Sequence, residues 1–389
     1  MSEAVNQFKH ITGKLGQMSD GPDKQTYYLK RMALQSLLDA VAARGYQCIG
    51  PSLQDHTIQY QAINNVHQLP QGLRDQQGPG HYRVTQTEDA RYFAWANGPQ
   101  GLKPYVFASE EVLWRSVRND DGSLGFEQPR APNHKLAVIG VRACDIAALY
   151  IQDKHFLQDR YKDPYYASRR QHLVIIAVNC THPADTCFCA STGDGPHAAY
   201  GYDIALTELA DGFLIEARSQ FGTEVLQQLP VETATADQID DAQTALAAAA
   251  QQQRQLPSHD LQQALFANLD HAQWDDIARR CLSCGNCTSV CPTCFCHSET
   301  DHASLDGKHN EHCRQWDSCF TAGHSYIHGI TIRADTKQRY RQWLTHKLGS
   351  WHDQYGRSGC VGCGRCISWC PVGIDLTREA SVICAGEKP

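Results

Sequence analysis

The feature that leaves this chain the fewest options is a twelve-residue pattern that occurs twice. Residues 281–292 read CLSCGNCTSVCP and residues 360–371 read CVGCGRCISWCP, both C-x2-C-x2-C-x3-C-P with glycine after the second cysteine. Three thiolates on one tight loop can reach three irons of a cube, and the fourth must come from elsewhere. In bacterial two-cluster ferredoxins the fourth cysteine of each run serves the other cluster. Proline ends each loop where a helix begins, and Gly285 and Gly364 let the backbone pass close to the cluster. Two [4Fe–4S] clusters are therefore expected. One is held by Cys281, Cys284, Cys287 and Cys370, the other by Cys360, Cys363, Cys366 and Cys291. The competing reading, a zinc ribbon, closes two C-x2-C pairs on one ion. It leaves half of these cysteines and both C-P junctions without a role.

The chain has eighteen cysteines in 389 residues, and their redox state depends on location. The N-terminus, MSEAVNQFKH, shows no apolar signal region. No segment nears the roughly 18 apolar residues of a membrane span. A cytoplasmic location is expected, where thiols stay reduced and clustered cysteines read as metal ligands. Cys144 follows the strand-like KLAVIGV (135–141), and Cys180 ends HLVIIAVNC (172–180). If those strands are parallel neighbours, both thiols lie at the same carboxyl edge, where α/β sheets gather ligands. Cys187 and Cys189 follow in TCFC, and the four together suit a third [4Fe–4S] cluster. Buried free thiols are the alternative. Cys294, Cys296 and Cys319 form a smaller set, able to bind another metal or to back the clusters. Cys313, His297 and Asp301 are its candidate fourth ligands. CFCH (294–297) is one residue short of a haem attachment motif. Cys48 and Cys384 are isolated and read as structural.

The length exceeds one comfortable core. The expected class is α+β. Residues 1–23 read as a polar arm, 24–232 as an α/β domain and 233–264 as a helical bridge. Residues 265–389 read as a helical dicluster ferredoxin domain with an insertion, 293–359, between its motifs. Periodicity predicts a helix over 27–44, short strands at 57–63, 82–85 and 104–108, and a parallel pair at 135–141 and 172–180. It also predicts a hairpin turning at Asp211-Gly212 and helices at 236–253 and 258–269. The histidines of 297–312 read as solvated loops. The basic stretch 333–347 reads as a solvated helix face, with docking of an acidic partner as the alternative. A net charge of −7 argues against a nucleic-acid partner. Neither G-x-G-x-x-G after a strand, nor a P-loop, nor G-x-S-x-G is present. The chain has wiring but no visible catalytic terminal, so partners must supply both ends of an electron path.

Several stretches carry a family resemblance: GVRACDI (140–146), the cysteines from Cys180 to Cys189, CLSCGNCTSVCPTCFC (281–296), WDSC (316–319) and GCVGCGRCISWCP (359–371). They resemble the β subunit of cytosolic sulfhydrogenases, the NADP-linked nickel–iron hydrogenases, and the corresponding iron–sulfur subunit of anaerobic sulfite reductase. After WDSC the family tends to an AGGH-type turn, where this chain has TAGHSYIHG. The resemblance implies an iron–sulfur electron-transfer subunit of a soluble complex. Its neighbours would be a flavin and [2Fe–2S] subunit handling NAD(P)H, and a hydrogenase or sulfite reductase catalytic subunit. The alternative is a self-contained iron–sulfur reductase with a substrate or flavin site in the α/β domain.

Overall fold

A computed structural model describes residues 26–258 and 260–385. The expected polar arm, 1–23, lies outside the described residues. In chain order the first strands are β1 (Tyr27–Lys30), β2 (Gln47–Gln54), β3 (Thr57–Ala62), β4 (Leu73–Gly78) and β5 (His81–Gln86). Next come β6 (Glu110–Arg118), β7 (Leu124–Glu127), β8 (Leu136–Val141) and β9 (Leu173–Val178). β10 (Ile204–Glu208), β11 (Gly212–Ala217), β12 (Glu232–Thr233), β13 (His297–Ala303) and β14 (His309–Trp316) complete the two larger sheets.

Eight strands form a mixed sheet in the order β12-β1-β11-β10-β9-β8-β2-β3. Its central strands β10, β9, β8 and β2 run parallel, and antiparallel strands flank them. Alternate residues feed opposite cores: Ile139 and Ile176 pack on one face, Val138 and Ile175 on the other. Both faces are covered, so LAVIGV and LVIIAV read as unbroken apolar runs. The expected hairpin is β10–β11, paired antiparallel from Glu208↔Phe213 outward.

The helix expected over 27–44 divides. Tyr27–Lys30 is strand β1, and α1 covers only Leu34–Ala42 after a single 3-10 turn. Pairing with β11 on one side and β12 on the other outweighs helical spacing in a Tyr-Tyr-Leu segment that already suits a sheet. Of the strand expected over 104–108, residues 104–106 instead belong to a short helix, Lys103–Val106, with Pro104 in its first turn, a position proline favours. The crossover between β8 and β9 includes α2 (Ala143–Gln158).

The histidines of 297–312 do not lie in loops. They sit on hairpin β13–β14, which joins β6 and β7 in an antiparallel sheet, β13-β14-β6-β7. Helices α3 (Gln273–Arg280), α4 (Thr336–Thr345) and α5 (Leu376–Cys384) bury Trp274, Ile277, Tyr340, Trp343, Leu376 and Ile383 in one core. The basic stretch 333–347 is therefore only partly solvated; Tyr340, Trp343, Leu344 and Lys347 are buried. The two halves interlock. Arg365 meets Asp145 through both carboxylate oxygens, at 2.7 and 2.9 Å, with each side chain 1% exposed. Asn97 Nδ2 donates to the Cys363 carbonyl at 2.9 Å, and Arg254 pairs with Asp375 at 2.7 Å. No described helix is long and apolar enough to cross a membrane.

Candidate metal centre

The two cysteine runs adopt one backbone shape. Ser283 (φ +51) and Gly362 (φ +63) occupy matching positions, as do Gly285 (φ +76) and Gly364 (φ +74). Two left-handed residues curl each loop, and a short helix comes directly after, Asn286–Ser289 or Arg365–Ser368. The glycines also answer to the chain behind the loop. A Cβ on Gly364 would stand 2.4 Å from the Thr186 carbonyl oxygen, and one on Gly362 2.5 Å from Cys189 Cα.

Cys281, Cys284, Cys287 and Cys370 line one open hollow, which Cys366 of the other run also borders, with Phe320, Tyr340 and Trp343 behind them. Cys284 is exposed and Leu282 is 63% exposed, so this group reaches the surface. Backbone N–H groups already point at its sulfurs: Ser283 donates to Cys281 Sγ at 3.4 Å and Ile374 to Cys370 Sγ at 3.3 Å. Burial pushes the Cys287 thiol well up, and Cys319, Cys281, Cys370 and Cys284 add to the push. The second group is Cys360, Cys363, Cys366 and Cys291. Burial raises Cys366, and the charges of Cys360, Cys363 and Cys291 add to it. The chain thus brings Cys370 to the first run and Cys291 to the second. Closely spaced buried thiols ionise together only against a positive centre, which is the behaviour of a metal-ligand set. A tetrahedral zinc would draw its sulfurs to about 3.8 Å from one another. Among the described residues no three cysteine sulfurs lie mutually within 4.8 Å.

Cys291 is the most heavily hydrogen-bonded of these sulfurs. Lys347 Nζ donates to it at 3.4 Å and to Thr293 Oγ1 at 2.9 Å, and Thr293 Oγ1 itself stands 3.2 Å from the sulfur. The Cys294 thiol is close by, and it and the Lys347 ammonium favour the thiolate of Cys291. Lys347 is 4% exposed; the neighbouring thiolates outweigh its burial and hold its ammonium charged. A second buried lysine, Lys103, whose amine burial pushes below its ordinary range, lies over the Trp316 ring at 3.8 Å and reaches the Cys291 carbonyl at 3.5 Å. Sequence reasoning missed both lysines, because nothing local marks a lysine that faces inward.

Cys144, Cys180, Cys187 and Cys189 also come together. They line a hollow with Asn97, Arg142 and Pro183. The hollow sits at the carboxyl ends of β8 and β9. There β8 is irregular at Gly140 (φ +90), and a bulge of this kind re-aims the side chains just beyond it. Two residues on is Arg142, whose guanidinium donates to the carbonyls of Phe93 (3.0 Å), Ala96 (3.1 Å) and Val178 (3.3 Å). Cys144 is in the first turn of α2, and Gln252 Nε2 donates to Cys189 Sγ at 3.3 Å. Burial raises Cys144 and Cys187 well above the usual thiol range and Cys189 to about 12. This hollow adjoins the second run: Phe188 N–H donates to the Gly362 carbonyl at 2.8 Å, and Cys187 Sγ to the Cys363 carbonyl at 3.8 Å.

Of the remaining set, Cys319 neighbours Cys287 of the first group, Cys294 neighbours Cys291 of the second, and Cys296 is close to both Cys294 and Cys319. Burial, then Cys296, pushes Cys319 up to about 12. The histidine beside them is His324, raised first by its hydrogen bond to Cys296 and then by Asp317, 3.0 Å from Nδ1. Cys313 is elsewhere, on β14, with Glu311, Glu110, Arg115 and Asp301 as its charged neighbours.

Residues 280–374 match the family model described as a 4Fe-4S dicluster domain. The match takes in all eight cysteines of the two runs. The chain is also 33% identical to sulfhydrogenase 2 subunit beta of Pyrococcus furiosus over 248 residues, which make up 63% of this chain and 72% of that protein. No solved structure matches it.

Proposed function

The chain belongs to the family of sulfhydrogenase beta subunits, and from that membership we propose that it relays electrons through three [4Fe–4S] sites in a multi-subunit oxidoreductase. An iron–sulfur electron-transfer role follows from the family and from the dicluster domain. In our reading the ligands are Cys281, Cys284, Cys287 and Cys370 at the first site and Cys360, Cys363, Cys366 and Cys291 at the second. Cys144, Cys180, Cys187 and Cys189 hold the third. When bound, such clusters accept and pass on single electrons. The partners in this reading are an NAD(P)H-linked flavin and [2Fe–2S] subunit on one side and a hydrogenase or sulfite reductase catalytic subunit on the other.

The observation that carries the reading is contiguity. Cys363 is a near neighbour of Cys144 and Cys189, and Cys366 of Cys287. The second site thus lies between the other two. The chain's own residues do the rest. They bury the inner sites, aim N–H groups and Lys347 at the sulfurs, and open the outer site to a partner at Cys284 and Leu282. Cys294, Cys296 and Cys319 are read here as sulfurs that back Cys291 and the first site, with Cys296 and His324 held together.

Iron and acid-labile sulfide should be counted on anaerobically purified protein, and the co-purifying subunits identified. Twelve of each per chain is the expected result, four for each cluster. Eight of each would remove the third site. Turnover of an acceptor by the isolated chain would favour the self-contained reductase instead.

A further inference from the structure

Among the cysteines outside the three proposed sites, Cys313 stands apart from the others, with a carboxylate and an imidazole both close to its sulfur. It sits in the middle of the sheet β13-β14-β6-β7 and is 2% exposed. Across from it stand Thr300 on β13 and Val112 on β6. Two residues along the same faces, on opposite diagonals, are His302 and Glu110, both exposed. Their side chains lean inward. One ligand atom each from Glu110, His302 and Cys313 lies within 4.8 Å of the other two, and among the described residues no other trio does so.

We infer that Glu110, His302 and Cys313 form a binding site for one zinc-type divalent cation, independent of the iron–sulfur sites. Thiolate, imidazole and carboxylate are the three donor classes zinc accepts, and three protein ligands leave a fourth tetrahedral position for water. Both outer side chains have polar neighbours on the same face. His302 Nε2 meets Thr300 Oγ1 at 3.1 Å, and Gln315 Nε2 donates to Glu110 Oε1 at 3.5 Å. The opposite face of the hairpin offers a contrast. There His312 stands between Asp301 (2.9 Å) and Glu299 (3.2 Å) with both ring nitrogens engaged. A cation at the trio would join three strands, two from the insertion between the cluster motifs and one from the N-terminal half. It would act as a clip between them.

The test uses the full chain, purified anaerobically with its iron in place, washed with chelator and equilibrated with Zn²⁺. The expected result is one zinc per chain, with one sulfur at about 2.3 Å and nitrogen or oxygen neighbours at about 2.0 Å by zinc-edge X-ray absorption. Cys313→Ser and His302→Gln should each weaken zinc retention at least about tenfold, with iron and sulfide unchanged. His302 is exposed, so its variant keeps the test decisive if Cys313→Ser folds poorly. No zinc retained by the unaltered chain, retention in both variants as tight as in the unaltered chain, an all-sulfur zinc shell, or loss of iron in Cys313→Ser would each overturn the assignment.

Discussion

Cys291 shows how much of a site's chemistry rests on residues outside the ligand set. Its sulfur meets the Lys347 ammonium, the Thr293 hydroxyl and the Cys294 thiol. Reduction adds negative charge to the site, and a fixed buried cation stabilises the more negative state. Lys347→Met should therefore lower the midpoint potential of one cluster by tens of millivolts, against 59 mV for each tenfold change in a one-electron equilibrium. Lys347→Arg should recover part of the loss. An EPR-monitored titration reads this directly, and an unchanged potential would dismiss the role. Cys370 makes a second residue-scale prediction. Cys370→Ser should disturb the cluster of the distant 281–287 run and leave the 360–366 signals intact, as resolved by EPR or Mössbauer spectroscopy. Damage confined to the 360–366 cluster would refute the exchange of fourth ligands.

At the scale of elements, the central joint is between the start of α2 and the short helix Arg365–Ser368. Asp145 and Arg365 meet there with almost no solvent contact, and Arg365 Nε also donates to the Gly98 carbonyl at 2.9 Å. Removing one partner of such a pair strands the other charge, at a cost of about 3–5 kcal/mol. Arg365→Met should lose about that much in anaerobic denaturant unfolding. Pairing it with Asp145→Leu, which removes the stranded charge, should restore most of it. A loss under about 1 kcal/mol in the single variant would mean that Asp145 finds another partner or takes up a proton. Nearby in the same run, Gly362 is fixed by a different contact, where a Cβ has no room against the Phe188–Cys189 backbone.

Across the whole molecule, the helical core and the sheet edge are both built around thiols that face hollows rather than packed atoms. The hollow of the first group borders Phe320, Tyr340 and Trp343, so metal binding and folding of this half are coupled. Chelating the iron should strip amide-exchange protection from 281–292, 360–371 and 186–189 first, with strands β8 and β9 retaining theirs. Uniform protection before and after iron loss would show that the scaffold stands without its metal. The proposed relay has its order at this scale too. In the second group Cys360 and Cys363 are buried and Cys291 and Cys366 half-buried, while the first group opens to solvent at Cys284.

The spacing of the two cysteine runs was enough to propose how eight thiols pair. Three ligands per loop and a crossed fourth is a constraint of local chain geometry, and the matching left-handed residues in both loops are its backbone form. The parallel pair β8–β9 and the start of α2 were legible for a related reason. Strands buried on both faces show it as unbroken apolar runs, and Cys144 and Cys180 then fall at the same sheet edge. The rest depended on partners far away in sequence. Tyr27–Lys30 is a strand because β11 and β12 flank it, and the polar HSETDHA segment is a strand because β14 pairs with it. Neither pairing leaves a local pattern. Lys347 reads as surface charge until Cys291, 56 residues away, supplies the sulfur that holds it inside. Contacts of that kind are set by tertiary packing alone, since they belong to no period or motif.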